Sequence, residues 1–129
     1  MATNGTAVQT AGVTVSEAAA KVGLSVHTLR WYEQEGLVEP VGRDTAGRRR
    51  YGEGELSWLE LLTKLRSTGM PVRDMRRYAE LARQGDHTVG QRLRLFVEHR
   101  ERVLRRIADL QRDLEMVDYK IQIYEEQAR

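Results

Sequence analysis

The feature that most constrains this chain is a heptad pattern at its C-terminal end. Counting in sevens from Leu93, one seam holds Leu93, Arg100, Ile107, Leu114 and Ile121, and the other holds Phe96, Val103, Leu110, Val117 and Tyr124. Nine of these ten positions are apolar, the repeat by which supercoiled helices pack on one another. A helix from about Thr88 to Glu126 is on the order of 58 Å long at about 1.5 Å per residue, more than twice what the preceding helices can cover. Its distal half then has no partner within the chain. Leaving that seam in water forgoes roughly 2 kcal/mol per apolar side chain, a large sum against typical net stabilities, so pairing with a second copy is expected. The dimerisation residues expected are Val103, Ile107, Leu110, Leu114, Val117, Ile121 and Tyr124. A helix folded back onto its own domain is the alternative arrangement. Arg100 interrupts the seam and marks where the helix is expected to leave its own domain, and the flanking charges fix neither a parallel nor an antiparallel orientation.

The 129 residues suit one compact domain, or a small domain with one extended element. With no cysteine there is no disulfide, thiolate metal site, cysteine-ligated iron–sulfur cluster or thiol redox switch, and a reducing cytoplasm is the expected location. No apolar run approaches the roughly 18–20 residues that cross a bilayer, and the first dozen residues lack the basic start and apolar stretch of a signal peptide. A soluble, unprocessed protein without membrane contact is expected. The net charge is only +2, so the distribution of charge says more than the sum. Of 21 cationic residues 18 are Arg, and Arg43, Arg48, Arg49 and Arg50 crowd into eight positions, whereas nine cationic and nine acidic residues cancel from Asp86 onward. That crowd is either a solvated loop or a contact for nucleic acid, whose phosphates and guanines suit the planar arginine fork.

Along the chain, residues 1–12 are small, polar and without period, a disordered tail. Val13 to Val15 form a short strand or an extended entry. Ser16 then reads as the N-cap of a short helix ending at Gly23, and Ser25 as the N-cap of a second helix, Val26 to Glu35, ended by Gly36. Val22, Val26, Leu29 and Tyr32 fall on one inward face, and two short helices joined by a tight turn make a helix-turn-helix. From Leu37 to Tyr51 a short apolar run, Pro40, the turn-rich stretch Gly42 to Gly47 and a basic return predict a β-hairpin with outward arginines. Leucine spacing predicts a helix from Glu53 to Thr68, and Pro71 opens another, through Met75, Tyr78, Ala79 and Ala82 to Gly85. The expected fold is mainly α: a winged helix-turn-helix DNA-binding domain with a small β-hairpin wing and a second helical pair (13–85), followed by a long coiled-coil dimerisation helix (86–129).

Nothing in this pattern carries catalysis. His27, His87 and His99 fall in three different elements, no nucleophile triad or carboxylate pair has the right spacing, and no Gly-rich phosphate loop is present. Three scattered histidines are poor metal ligands, and His99 reads as a solvated residue. No enzyme activity, metal or cofactor is expected. A winged helix-turn-helix instead lays its second helix in the major groove and its wing along the backbone or minor groove of double-stranded DNA. His27, Thr28 and Arg30 face that groove, Ser25 and the helix N-terminus can meet a phosphate if the hydroxyl is not used as a cap, and Tyr32 is either a hydroxyl contact or a core residue. Trp31 reads as packing, since a duplex offers no unstacked base.

These residues resemble the MerR-type transcription regulators, in a short, cysteine-free form. The resemblance rests on Val15-Ser16-Glu17-Ala18-Ala19, Gly23-Leu24-Ser25, Thr28-Leu29-Arg30-Trp31-Tyr32-Glu33, Gly36-Leu37-Val38, Pro40, Arg43, Gly47-Arg48-Arg49-Arg50-Tyr51, Leu65-Arg66-Ser67-Thr68-Gly69-Met70 and the closing Asp118-Tyr119-Lys120-Ile121 and Tyr124-Glu125-Glu126. It implies a dimeric cytoplasmic regulator with an antiparallel coiled coil, bound to a pseudo-palindromic promoter site. Such proteins bend and untwist an overlong spacer so that RNA polymerase meets both promoter elements on one face, and some members repress. Carried over by motif, Ser25, His27, Thr28, Arg30 and Tyr32 fall on the recognition helix, Arg43, Arg48, Arg49 and Tyr51 on the first wing, and Arg66, Arg73 and Arg76 on a second wing that meets phosphate. The chain departs from the pattern at Pro71, where a capping Ser is common, and at its sensing end, where metal- and redox-sensing members carry cysteines. It also ends within a few residues of the coil, so no separate drug-binding domain is expected, and the effector is a small organic molecule or none. A candidate lining between second helical pair and coil is Tyr78, Leu81, Phe96 and Tyr119, although aromatics so placed are more often plain core. Two other classes fit less of the sequence: an architectural protein that bends DNA away from promoters, and a module that grips protein, for which four cations on one hairpin are poorly suited.

Overall fold

The computed structural model describes residues 12–39, 42–47 and 49–129, Arg49 by its backbone alone. The expectations for residues 1–11, Pro40 and Arg48 therefore lie outside the described residues. The order is α1 (Val15–Val22), α2 (Val26–Gln34), β1 (Gly42–Arg43), β2 (Arg49–Arg50), α3 (Glu53–Ser67), α4 (Val72–Gln84), one 3-10 turn (Asp86–Thr88) and α5 (Val89–Gln127). The chain divides into two compact units, Met1–Val89 and Gly90–Arg129.

In the first unit α1 packs on both α2 and α3, and α3 packs on α4. Ala18 and Ala19 are buried on α1, and their small side chains let its backbone approach its neighbours closely. Sequence reading placed the N-cap of α1 at Ser16; the structure moves it to Thr14. The Glu17 N–H donates to Thr14 Oγ1 (3.2 Å) and the Thr14 N–H donates to Glu17 Oε1 (2.9 Å), a reciprocal box that Ser16 cannot form because no acid follows it three residues on. Val13 and Tyr51 exchange both backbone hydrogen bonds, 2.8 and 2.7 Å, so the extended entry is tied to the end of the hairpin.

α3 buries Leu59, Leu62 and Leu65, and Met75, Ala79 and Leu81 are buried along α4. Pro71 occupies the N-cap of α4 rather than its first turn: its carbonyl accepts from Met75 N–H at 3.0 Å, and its missing N–H would have had no helical partner. Thr88 is buried with its hydroxyl 2.6 Å from Leu81 O and 2.8 Å from Gly85 O, closing the end of α4.

The second unit is the bulk of α5, a helix of 39 residues and, at about 1.5 Å per residue, roughly 58 Å long. Between Val89 and Val103, Arg92, Leu95, Phe96, Arg102 and Val103 are half-buried and His99 is buried. His99, expected in solvent, is instead 5% exposed, three residues after Phe96 and four before Val103. Beyond His99 no residue of the helix is buried.

The box on α1 makes a direct prediction. Glu17 is fully exposed, and its carboxyl is held below its ordinary value by the Thr14 backbone N–H, then by the Thr14 hydroxyl and, more weakly, by Arg50 and Lys21. A carboxyl lowered in the folded state stabilises above its unfolded pKa, and that contribution is lost as pH falls through the lowered value. Thr14→Ala should cost about 1 kcal/mol in chemical denaturation at neutral pH, the usual worth of an N-cap, while Ser16→Ala should leave the midpoint unchanged. The gap between wild type and Glu17→Gln should close on acidification.

Candidate nucleic-acid interface

α2 is built as a two-faced helix. Ser25 caps it: Thr28 N–H donates to Ser25 Oγ at 3.0 Å, and the Ser25 hydroxyl donates to Thr28 Oγ1 at 2.9 Å. The cap therefore uses the hydroxyl that sequence reading left available for phosphate. Leu29 and Tyr32 turn inward and are buried, while His27, Arg30 and Gln34 are exposed. Their i, i+3, i+7 spacing puts the three on one face. Gln34 was not among the expected contacts, although its position seven residues after His27 is the signal that places it there.

Tyr32 and Tyr51, both candidate DNA contacts, are core residues in the structure, 2% and 0% exposed. Burial pushes the Tyr32 phenol above its ordinary pKa, against a smaller opposing effect of Arg66. Trp31 leans on the Tyr32 ring at 5.8 Å and 52°, as packing requires.

The hairpin pairs Gly42 with Arg50 and Arg43 with Arg49 in antiparallel register. Its turn is closed by the Gly47 N–H donating to Asp44 O (2.9 Å) and the Ala46 N–H donating to Asp44 Oδ1 (2.9 Å), with Gly47 at φ 81°, a conformation that favours glycine. Arg43 is exposed and spends one amine on Gly47 O at 2.8 Å. Arg50 is half-buried: it donates to Gly12 O (3.0 Å) and lies 3.9 Å from Glu17 Oε1 and 3.7 Å from Asp44 Oδ2. It pins the root of the wing to α1.

In the second helical pair, Arg66 and Arg73 are exposed, with Arg73 Nε 3.7 Å from Asp74 Oδ1. Arg76 is exposed as well, and its Nη2 is 3.1 Å from Glu35 Oε1 at the end of α2. Two more donors reach the same place: Arg83 Nη1 donates to Gly36 O at 2.8 Å, and Trp58 Nε1 donates to Leu37 O. Of the expected effector lining, Tyr78 stacks on Trp58 (5.1 Å, 20°) and Leu81 is buried in the first unit. Phe96 and Tyr119 are separated along α5 by about 35 Å at 1.5 Å per residue, so one copy cannot bring these four residues around one small molecule.

Among the described residues no group of three His, Cys, Asp or Glu is placed to hold a metal, and no helix is long and apolar enough to cross a membrane. What the first unit offers is a capped helix with an exposed polar face, a basic hairpin tied to the start of α1 and further arginines on a second helical pair. Those parts define a winged helix-turn-helix DNA-binding protein.

Two family models match the sequence, MerR HTH family regulatory protein over residues 13–81 and MerR, DNA binding over residues 56–117. An uncharacterized HTH-type transcriptional regulator of Haemophilus influenzae is 44% identical over 112 residues, 87% of this chain and 83% of that protein. The regulator AdhR of Bacillus subtilis is 33% identical over 90 residues, 70% of this chain and 64% of its own. Among solved structures, HiNmlR, a MerR family regulator lacking the sensor domain and bound to promoter DNA, has a TM-score of 0.81 at 43% identity, covering 89% of this chain and 91% of that one. The chain belongs to the MerR family of helix-turn-helix transcription regulators. It is a DNA-binding regulator of transcription and not an enzyme.

The contrast between the two described wing arginines is testable. Arg43→Ala should leave the melting temperature unchanged, weaken binding to all duplexes alike and reduce the slope of log affinity against log salt by about 1, as loss of one phosphate contact does. Arg50→Ala should lower the melting temperature. An unchanged salt slope in Arg43→Ala would remove that residue from the interface.

Proposed function

We propose that the protein works as a homodimer through an antiparallel coiled coil of α5, placing two winged helix-turn-helix units on the halves of a pseudo-palindromic promoter site. The observation that carries this reading is the state of the distal seam: Ile107, Leu110, Leu114, Val117, Ile121 and Tyr124 are each between 45% and 61% exposed in a single chain. Six large apolar side chains on one stripe, at roughly 2 kcal/mol each, call for a partner with the same stripe. Val103, half-buried, stands at the head of that stripe.

His27, Thr28 and Arg30 read base edges, with the α2 N-terminus at a phosphate. Arg43, Arg48 and Arg49 follow the backbone from the first wing, and Arg66 and Arg73 add phosphate contacts from the second. The functional parts are residues 13–85 for DNA and 86–129 for dimerisation. On binding, the dimer bends and untwists the promoter spacer, presenting both promoter elements to RNA polymerase in the cytoplasm. The energy of that deformation lets sequence be read where no side chain touches it. HiNmlR, similar over nearly the whole chain, is a regulator lacking the sensor domain, which favours a short form whose effector is a small organic molecule or none.

Selection of genomic fragments by the purified protein at near-physiological salt, with footprinting of those recovered, tests this function. One pseudo-palindromic footprint across an overlong promoter spacer is expected. Diffuse protection with little sequence preference would replace promoter regulation with general DNA bending. Replacing Leu110 and Leu114 together by Lys should give monomers on sedimentation and abolish tight binding to that site, because each half-site loses the effective concentration supplied by the other. A dimer persisting in that variant would place the interface elsewhere.

A further inference from the structure

Three donors from the second helical pair converge on three consecutive residues where the recognition helix ends. Arg76 pairs with the Glu35 carboxylate (3.1 Å), Arg83 donates to Gly36 O (2.8 Å) and Trp58 donates to Leu37 O. Carbonyls at a helix end have no intrahelical partner, and Gly36, at φ 76°, turns the chain so that they need one from outside. Each of two donors is itself held in place. The Trp58 ring stacks on Tyr78, and the Arg83 guanidinium is bound to Glu80 Oε1 at 2.9 Å, whose other oxygen takes Gln84 at 3.4 Å.

We propose that Trp58, Arg76 and Arg83 are positioning residues that lock the recognition helix at one angle to the second helical pair, and thereby set the half-site separation the protein accepts. Apolar packing alone does not fix that angle. Leu37 and Val38 are buried, but beside them lies an open groove of about 220 Å³ lined by Leu37, Val38, Trp58, Ala79, Ala82 and Arg83. Burial of apolar surface is non-directional, whereas hydrogen bonds weaken steeply when bent, so the three polar contacts resist rotation where packing is incomplete. α4 leads through the short 3-10 turn into α5, so a change of angle at residues 35–37 is a change between the reading helix and the element that precedes the dimerisation helix. The inference rests on the dimeric reading above.

Trp58→Phe keeps an aromatic ring against Tyr78, though a smaller one, and removes the N–H donor, and Arg83→Ala removes the other donor to the main chain. The double variant should be compared with wild type on the site recovered by genomic selection, on the same site with its halves moved one base pair closer or further apart, and on a single half-site. Binding to the half-site should stay within about twofold, because no contact to DNA is lost, while preference for the natural separation should fall on the order of tenfold, the effect of losing two net hydrogen bonds. Arg83→Lys, which restores a donor, should recover part of the preference. A merely structural role would lower the folded fraction and weaken all duplexes by one factor; that result, or an unchanged preference in either variant, would overturn the proposal. A wild-type protein indifferent to half-site separation would overturn the dimeric reading first, and this inference with it.

Discussion

An apolar stripe on a helix too long for its own chain to cover is the constraint on which the rest of this protein depends. A single helix gains little from burying a stripe it has nothing to bury against, and beyond His99 no side chain of α5 is buried. The exposed stripe runs on through Ile121 and Tyr124 to within six residues of the end of the chain. In the dimer proposed above two copies would cover each other's stripe, and the two-fold symmetry of such a dimer would make a two-fold DNA site its natural counterpart.

The DNA-binding unit shows a second economy, in which charge is divided between reading and holding. Arg50 and Arg76 pair within the chain, the half-buried Arg50 with Glu17, Asp44 and Gly12 O, the exposed Arg76 with Glu35. Arg43 and Arg73 remain exposed for an external anion. The held arginines fix the hairpin root and the end of α2, so the exposed guanidinium groups of Arg43 and Arg73, themselves anchored at Gly47 O and beside Asp74, are presented from a defined geometry. Such preorganisation lowers the ordering cost that binding would otherwise incur.

Most of the architecture was legible because helix punctuation in this chain is strong. Gly23, Gly36, Gly69 and Pro71 bound the helices as local chemistry requires, and the heptads mark α5 to within a residue or two. Thr14 was missed in favour of Ser16 because both are good caps; the deciding signal, Glu17 three residues after Thr14, was in the sequence. Tyr32 reads in sequence as either groove contact or core and Tyr51 as a wing contact, both are buried, and only burial separates those roles. The contacts of Arg83 and Trp58 were not legible at all. Their partners are main-chain carbonyls 47 and 21 residues away, which carry no side-chain signature. The charged neighbours of His99 in sequence point to solvent, yet its spacing puts it on the same helix stripe as the apolar Phe96 and Val103, and it is buried.

Sedimentation equilibrium of the intact protein, free of DNA and across a range of concentrations, tests the central claim most directly. A mass of twice the 14.8 kDa chain, persisting to low concentration, is the predicted result. A stable 14.8 kDa monomer with α5 fully helical would mean that the stripe needs no second copy, and would contradict the account.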